Sequence, residues 1–401
     1  MARLSGRYLV ALKRLSEVEV DPESSNQHEL NGVSAIKQLL GTPTDVMTIP
    51  EVEWVLLRDD GRHLRERHTL SWYDSRRGNP HRSAEWRLYY RGGTTAAEAG
   101  DLFALIRREQ DGALAAFIAP KGSTWNQQVI AILGNPLDPG GKFVPVEFGE
   151  IPDFFTAVAS ELFELLNWGE DPEPVDSSPF SGEIAAKFGF TFPSTYEFSK
   201  FIQDRVPVDP NEPDDALLAW WRAEEAHFRE QERRIVEMRL AEGFEDVDEF
   251  LTFSKSVHNR RRARAGLAFE NHLRALFESN GLRHSFKKRT EGKSEPDILF
   301  PGIEQYRDPE FDDARLTMLA AKTTCKDRWR QVLQEAARIK RKHLCTLEPA
   351  ISTDQLKEME LAFLVLVAPA AIVSSYRTPA GYQVLSIAEF IELVRERDSV
   401  N

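Results

Sequence analysis

The sequence predicts a multidomain chain, with a first domain made mainly of β-strands and a second, α/β domain in which strands and helices alternate. Short apolar runs separated by Gly, Pro, Asn and Asp dominate the first third of the chain, which is typical of a β-sheet protein. A proline-rich acidic segment follows at residues 169–179. From residue 297 onward strand and helix patterns alternate, which indicates a mixed sheet with helices on both faces.

The composition is that of an ordinary globular protein. The chain has 401 residues, of which 41% are hydrophobic and 29% charged, enough to bury at least two cores. No apolar run reaches the roughly 18 residues of a membrane span, and the first residues do not resemble a secretion signal. We therefore expect a cytoplasmic protein that does not bind membranes. Cys325 and Cys345 are too few for a disulfide framework and lack the spacing of a zinc site.

The first domain is expected to be a small barrel or sandwich with one or two helices. Its predicted strands are residues 8–12, 53–57, 86–90, 102–106 and 115–118. An amphipathic helix is predicted over residues 153–167, just before the acidic segment. We assign residues 1–168 to this domain, residues 169–182 to a linker and residues 183–401 to the second domain.

Two long helical patterns open the second domain. The first runs from about Asp215 to Leu240 and is ended by Gly243, and the second runs from Val247 to about Ser279 and is ended by Gly281. Both are expected to serve mainly in packing. The predicted order after them is strand 297–300, strand 316–322, helix 327–342, strand 343–347, helix 353–360, strand 362–367 and helix 386–396.

Negative charge is concentrated in the middle of the chain. The formal net charge is -13, yet residues 151–250 hold 24 acidic and 8 basic residues, a local charge of -16 that leaves +3 for the rest. Residues 254–291 hold ten basic against three acidic residues, and residues 321–343 hold eight against two. Such basic patches suit a nucleic-acid backbone, because neutralising phosphates releases counterions. A solvated helix face is the alternative for either patch alone.

Three residues between positions 297 and 335 have the chemistry of a metal-dependent nuclease. Asp297 enters an apolar strand, Lys322 ends a later strand, and Glu335 lies on the helix predicted after it. Carboxylates can hold Mg²⁺, and a lysine can neutralise charge on a scissile phosphate. Each residue alone has a plainer explanation: Asp297 as a turn cap, Lys322 as a snorkelling lysine, Glu335 as the partner of a nearby arginine. Their joint occurrence favours the metal site.

Two neighbouring segments carry candidate DNA contacts. In the first, Lys326, Asp327, Arg328 and Arg330 combine cations with one acid, which suits base reading because Arg or Lys donates to guanine and Asp accepts from cytosine. Helix capping by Asp327 is the alternative. The second is the arginine run 259–264, with Arg261 and Arg264 as candidate backbone contacts; it precedes Glu270, a possible further acid at the metal centre.

The first domain carries a loop of mixed charge that leads into a strand. Its arginines and glutamate could read guanine and cytosine, although an ordinary charged hairpin is the alternative. A polar loop around residue 28 is a possible second arm. The candidate residues are His28, Arg76, Arg82, Glu85 and Arg87.

These motifs closely resemble the EcoRII family of type II restriction endonucleases. The resemblance rests on residues 257–266, 281–284, 296–301 and 318–331; it is dense from about residue 192 to 347 and weaker in the first domain. It implies a PD-(D/E)xK nuclease fold in the variant whose second carboxylate has left the strand. Asp297, Lys322 and Glu335 match that variant, and Ala320 stands where the more usual acid would be.

The resemblance also implies an activity and its partners. Family members cut 5′-CCWGG before the first C, require Mg²⁺ and act as homodimers, and Lys326, Asp327 and Arg328 match the element that reads the C:G pairs. An arginine of the run 260–264 is the candidate to stack beside a flipped central base pair. The first domain would be a DNA-binding pseudobarrel that binds a second, effector copy of the site and relieves autoinhibition, as in type IIE enzymes. A cognate cytosine methyltransferase is expected in the same cell.

Two other functions fit part of the pattern. One is a DNA-binding regulator that retains an inactive nuclease fold, which the intact set Asp297, Lys322 and Glu335 disfavours. The other is a repair nuclease on the same fold, which would cut according to DNA structure rather than sequence.

Overall fold

The computed structural model describes residues 8–20, 29–31, 34–79, 81–90, 96–134, 137–138, 141–147, 153–166, 168, 180–292, 294–326 and 328–399. The chain divides into two compact units, residues 1–173 with 349–355 and residues 174–348 with 356–401. The first boundary lies inside the segment assigned above to the linker. The short segment 349–355 groups with the first unit, whereas the sequence analysis assigns it to the second domain.

The first unit is built on an eight-stranded sheet in the order β2-β5-β4-β3-β7-β6-β1-β8. Its strands are β1 (Tyr8–Arg14), β2 (Glu29–Asn31), β3 (Met47–Leu56), β4 (Leu64–Asp74), β5 (Trp86–Tyr90), β6 (Leu102–Arg108), β7 (Leu114–Ala119) and β8 (Val144–Glu147). Its helices are α1 (Glu17–Val20), α2 (Ser34–Leu40), α3 (Thr124–Ile132) and α4 (Thr156–Leu165), with a 3-10 turn at Asp153–Phe155.

The central strands of this sheet are buried on both faces. Along β1, Val10 and Leu12 belong to one core cluster, whereas Ala11 between them belongs to the cluster on the opposite face. In β6, Phe103 and Leu105 belong to the latter cluster as well. This distribution follows from the two-residue period of a strand. It explains why β6 and β7 read as nearly continuous apolar runs in the sequence.

The second unit contains one mixed sheet and nine helices among its described residues, although the helix Thr353–Leu361 begins in the segment 349–355 that groups with the first unit. The helices are α5 (Ser181–Phe188), α6 (Thr195–Arg205), α7 (Pro213–Glu242), α8 (Val247–Ser279), α9 (Ile303–Arg307), α10 (Trp329–Val332), α11 (Thr353–Leu361), α12 (Ala370–Val373) and α13 (Ile387–Ser399), with a 3-10 turn at Asp313–Arg315. The strands are β9 (Ser285–Phe286), β10 (Ile298–Phe300), β11 (Thr317–Lys322), β12 (Lys342–Thr346) and β13 (Leu364–Val367).

The sheet of the second unit is mixed, as the alternating pattern predicts. Its order is β13-β12-β11-β10-β9. Strands β9, β10 and β11 pair antiparallel, whereas β11, β12 and β13 pair parallel. Helix α8 packs against β11, and Phe277 near its C-terminus contacts Phe300 of β10. Over the described residues, none of the helices combines the length and the apolarity needed to cross a membrane.

The predicted helix over residues 327–342 is wrong. Helix α10 ends at Val332, and Ala336 takes a left-handed backbone with φ of 45°. The buried Lys342 explains the loop, because its Nζ donates to the carbonyls of Glu335 (2.6 Å), Ala336 (3.1 Å) and Ile339 (2.7 Å). The ammonium of Lys342 thus supplies hydrogen bonds to three backbone carbonyl groups that would be paired with backbone N–H groups in a helix. Glu335 therefore lies on a loop and not on a helix.

Candidate active site

The candidate site begins at Asp297, just before β10. The register of β10 with β11 and β9 places Asp297 beside Ala320 on one side and beside Lys287 on the other. The backbone N–H of Lys287 donates to the carbonyl of Asp297 at 2.9 Å. Ala320, the position of the absent strand carboxylate, is fully buried. A second acid must therefore come from outside this row of strands.

Asp297 and Lys322 form a fixed pair at the end of β11. Oδ2 of Asp297 accepts hydrogen bonds from the backbone N–H of Ala321 at 2.8 Å and from Nζ of Lys322 at 2.9 Å. Both side chains are largely buried, with 10% of the Asp297 side chain and 17% of the Lys322 side chain exposed. Burial and two hydrogen bonds hold the carboxylate in one orientation, as a preorganised site requires.

Glu335 supplies the second carboxylate from the loop after α10. The pKa of Glu335 is raised to about 7, first by burial and then by the negative charge of Asp297, while Lys322 and Lys342 act in the opposite direction. Its Oε2 is buried and has no hydrogen-bond partner within the described residues. The carboxylates of Asp297 and Glu335 therefore interact in a buried space. Oε2 of Glu335 has neither a hydrogen-bond donor nor a cation beside it among the described residues.

Glu270 joins this group from α8. It is buried, and its Oε2 lies 2.6 Å from Nζ of Lys287. Burial raises the pKa of Glu270; the hydrogen bond from Lys287 lowers it and the charge of Asp297 raises it again. Because the pKa of Glu270 depends on the charge of Asp297, the two carboxylates are close enough to interact electrostatically. The structure thus brings Glu270, Asp297, Lys322 and Glu335 together from four separate segments.

The donor set fits a hard divalent cation. In the present side-chain arrangement, no group of three or more His, Cys, Asp or Glu residues is poised to hold a metal ion within the described segments. The unpartnered Oε2 of Glu335 and the neighbouring Asp297 are nevertheless oxygen ligands of the kind that Mg²⁺ takes. Glu270 is a third carboxylate close by, currently engaged by Lys287.

The predicted base-reading segment begins at Lys326, four positions after the strand that ends at Lys322. Its Lys326 is buried and has a positive φ of 21°. The carboxylate of Glu348 accepts the backbone N–H groups of Cys325 at 2.7 Å and of Lys326 at 3.0 Å. Asp327 lies outside the described residues. The buried Glu348 thus determines the path of this segment.

The two arginines of the segment differ in their surroundings. Arg328 is exposed and immediately precedes α10. Arg330 pairs with Glu358 at 2.5 Å and lies over the ring of Trp329, 4.6 Å from its centroid. Arg330 would therefore have to leave Glu358 before it could contact DNA, whereas Arg328 is already exposed.

The arginine run of α8 is used largely for helix packing. Arg261 is ion-paired with Glu232 of α7. Arg264 is 2% exposed, contacts the carboxylates of Glu224 and Glu225, and lies 4.1 Å from the ring centroid of Phe228. The structure therefore does not bring Arg264 to an accessible surface; this arginine joins α7 to α8.

In the first unit, the mixed-charge loop connects β4 to β5. Glu85 lies between Nε of Arg76 at 2.7 Å and a guanidinium nitrogen of Arg87 at 2.5 Å. The pKa of Glu85 is lowered, mainly by its hydrogen bond with Arg87. Arg82 is exposed in the same loop, and His28 lies outside the described residues. Three of the five candidates are thus arranged as one charged cluster.

Three residues that shape the site are not among those predicted from the sequence: Lys287, Lys342 and Glu348. Lys287 belongs to the basic stretch 254–291, which was already a candidate phosphate patch and precedes Asp297 in the sequence, so a signal for it was available. Lys342 and Glu348 showed no signal, because a buried charge can be recognised only from its three-dimensional partners.

The arrangement resembles that of a metal-dependent nuclease: an acid and a lysine at the ends of adjacent strands, with further carboxylates from a loop and a helix. Residues 228–391 match the family model described as EcoRII C terminal. The EcoRII-like character recognised from the motifs is thereby confirmed for this part of the chain.

Two curated relatives are named as type II restriction enzymes. The chain is 40% identical over 201 residues to EcoRII of Escherichia coli, an alignment that covers 50% of this chain and 50% of that enzyme. It is 34% identical over 119 residues to SsoII of Shigella sonnei, covering 27% of this chain and 37% of that enzyme. The chain thus spans half the length or less of these relatives. A solved structure described as metal-depleted Ecl18kI in complex with uncleaved DNA shows 20% identity and a TM-score of 0.43, covering 55% of this chain and 86% of the other.

Proposed function

We propose that the chain is a site-specific deoxyribonuclease, a type II restriction endonuclease that cuts double-stranded DNA with Mg²⁺ as cofactor. The observation that carries the proposal is the buried Asp297–Lys322 pair together with Glu335, whose Oε2 is buried without a hydrogen-bond partner among the described residues and whose pKa responds to both charges of the pair. This set lies within the segment that matches the EcoRII C-terminal model. The names of the two curated relatives, both type II restriction enzymes, support the same assignment.

Asp297 and Glu335 would hold the Mg²⁺, with Glu270 as a further acid nearby. When bound, the ion supplies Lewis-acid activation of water and charge neutralisation at the phosphate. Nζ of Lys322, oriented by Asp297 at 2.9 Å, positions the attacking water and offsets negative charge on the scissile phosphate. Because the pKa of Glu335 is raised to about 7, its carboxyl must release a proton before it can act as a ligand.

We propose that the DNA sequence is recognised by the segment 326–330, whose backbone is held at Cys325 and Lys326 by hydrogen bonds to Glu348. Lys326, Asp327 and Arg328 would read the C:G pairs of a CCWGG-type site, with Arg330 as an additional contact. Arg261 remains a candidate for the DNA backbone, provided that it leaves Glu232. Palindromic sites are read most simply by two copies of a chain, so we propose that the enzyme acts as a homodimer.

The first unit is proposed to be a pseudobarrel that binds a second copy of the site. The cluster Arg76, Glu85 and Arg87, the exposed Arg82 and His28 are the candidate contacts. In this proposal the unit restrains the nuclease until effector DNA is bound, and a cytosine methyltransferase protects the host sites. Removal of residues 1 to about 180 should then increase cleavage of DNA that carries a single site.

The deciding experiment is digestion of a mapped plasmid by the purified chain with and without Mg²⁺, followed by run-off sequencing of the ends. The proposal expects cuts at one short sequence, only with a divalent ion. No cleavage with retained sequence-specific binding would indicate a DNA-binding regulator instead. Cuts that follow mismatches or branched structures would indicate a repair nuclease.

A further inference from the structure

Lys287 is a third cation in the candidate site, besides Lys322 and Lys342, and it takes no part in the proposed recognition or catalysis. It follows β9, and its backbone N–H donates to the carbonyl of Asp297 at 2.9 Å. Its backbone is left-handed, with φ of 45°, a conformation that residues other than Gly adopt infrequently. The ladder of β9 with β10 therefore holds this lysine beside the central aspartate.

The side chain of Lys287 crosses from the sheet to α8. Its Nζ lies 2.6 Å from Oε2 of Glu270. The Glu270 side chain is 11% exposed, whereas the Lys287 side chain is 40% exposed. The buried member of the pair is thus the carboxylate. Lys287 can move into solvent and gain hydration, whereas Glu270 stays buried and needs another cation in its place.

We propose that Lys287 is an internal counter-ion of Glu270 that competes with a divalent cation for this carboxylate. The inference rests on the proposed metal-dependent function and adds a control of metal loading. The ammonium of Lys287 occupies Oε2 of Glu270 and would repel a divalent cation bound to the same carboxylate. Glu270 should therefore bind the ion more tightly when Lys287 moves away.

The surrounding charges support this competition. The charges of Asp297 and Lys322, as well as that of Lys287, act on the carboxylate of Glu270. An ion bound to Glu270 would therefore also interact with the Asp297–Lys322 pair. Without Lys287 or a cation, the carboxylates would repel each other. The lysine therefore stabilises the metal-free site and at the same time disfavours metal binding at Glu270.

The test measures metal binding by the full-length chain without DNA, with Mn²⁺ as the probe in a calorimetric titration. Lys287→Met should bind Mn²⁺ at least about tenfold more tightly, or bind one additional ion per chain. The titration is run at about pH 8.5, because removal of the ammonium also raises the pKa of Glu270. The matched control is Lys288→Met, which removes the same charge from the neighbouring exposed residue and should titrate as the wild type does.

Two further variants assign the effect to the Lys287–Glu270 pair. Lys287→Arg keeps the charge and should keep the wild-type affinity, whereas adding Glu270→Gln to Lys287→Met should abolish the gain. Lys287→Gln replaces Lys287→Met if the latter fails to fold by circular dichroism. Unchanged or weaker Mn²⁺ binding by the neutral variant overturns the inference.

Failure of this inference is distinguishable from failure of the proposed function. If the wild type cleaves DNA with Mg²⁺ and the neutral Lys287 variant binds Mn²⁺ no more tightly, only the counter-ion role is rejected. If the wild type never cleaves DNA, the proposed function is rejected whatever the titrations give.

Discussion

Nζ of Lys322 lies 2.9 Å from Oδ2 of Asp297, although 25 positions separate the two residues in the chain. The antiparallel register of β10 and β11 brings them together, and the N–H of Ala321 donates to the same carboxylate oxygen at 2.8 Å. The pair is therefore assembled by the sheet before any ion or DNA is bound. Its removal should affect the chemical step more than folding or DNA binding.

Lys322→Ala should lower the single-turnover cleavage rate with Mg²⁺ by about 10² to 10³-fold, the usual effect of removing one preorganised charge stabiliser. DNA affinity, measured by gel shift with Ca²⁺, should stay within a few-fold of the wild type. Lys288→Ala, at an exposed position, is the control for loss of a positive charge. Near-wild-type cleavage by Lys322→Ala would remove this lysine from the mechanism.

Glu335→Gln should stabilise the metal-free chain at high pH but not at low pH. The pKa of Glu335 is raised from 4.5 to about 7 in the folded state, so the folded state holds its proton more tightly than the unfolded state. The stability that comes from this proton is complete below pH 4.5 and is lost as the pH rises through 7. At about pH 8.5 the glutamine variant should therefore be more stable by about 1 to 3 kcal/mol.

Urea unfolding in EDTA at about pH 4.5 and about pH 8.5 measures this difference. Glu310→Gln, at an exposed position, should show no such pH dependence. A stability gain for Glu335→Gln that is equal at both pH values would contradict the raised pKa.

Glu348→Ala should relax sequence specificity, because the backbone of Cys325 and Lys326 loses its anchor. Sites altered at one C:G pair should be cut relatively faster, by about tenfold, which corresponds to about 1.4 kcal/mol of lost discrimination. Glu348→Gln keeps one acceptor oxygen and should fall between the wild type and the alanine variant. The measurement compares cleavage rates on matched and single-mismatch duplexes.

A merely structural role for Glu348 would lower cleavage of all these duplexes equally and leave their ratio unchanged. Glu304→Ala, an exposed acid of α9, serves as the control and should preserve the wild-type ratio. Unfolding curves of all three variants show whether any change in rate reflects loss of folded protein.

Arg264→Met should destabilise the chain by about 3 to 5 kcal/mol, because it removes the arginine partner of the buried Glu224. Denaturant unfolding is the measurement. Arg274→Met removes an exposed partner of Glu278 on the same helix and should cost less than about 1 kcal/mol. If Arg264→Met instead kept full stability and lost DNA affinity, this arginine would return to the list of DNA contacts.

The elements with strong local patterns were predicted closely. Helix α8 runs from Val247 to Ser279, the bounds that its periodicity and Gly281 indicate, and its N-cap, Asp246, accepts from the N–H of Glu249 at 2.8 Å. Strand β4 was missed because its exposed positions carry charged residues, which weaken the apolar alternation. Helix 327–342 was overpredicted because the carbonyl contacts of Lys342 are invisible in a local window.

The sequence by itself determined which chemistry is available: an aspartate before one strand, a lysine ending another and a glutamate thirteen positions later, within an EcoRII-like segment. Only the tertiary structure decided which charged residues meet. It placed Glu270 and Lys287 against Asp297 and buried Arg264 between helices. The reason is physical, since strand register and the burial of charge depend on partners far away in the chain and not on neighbours in sequence.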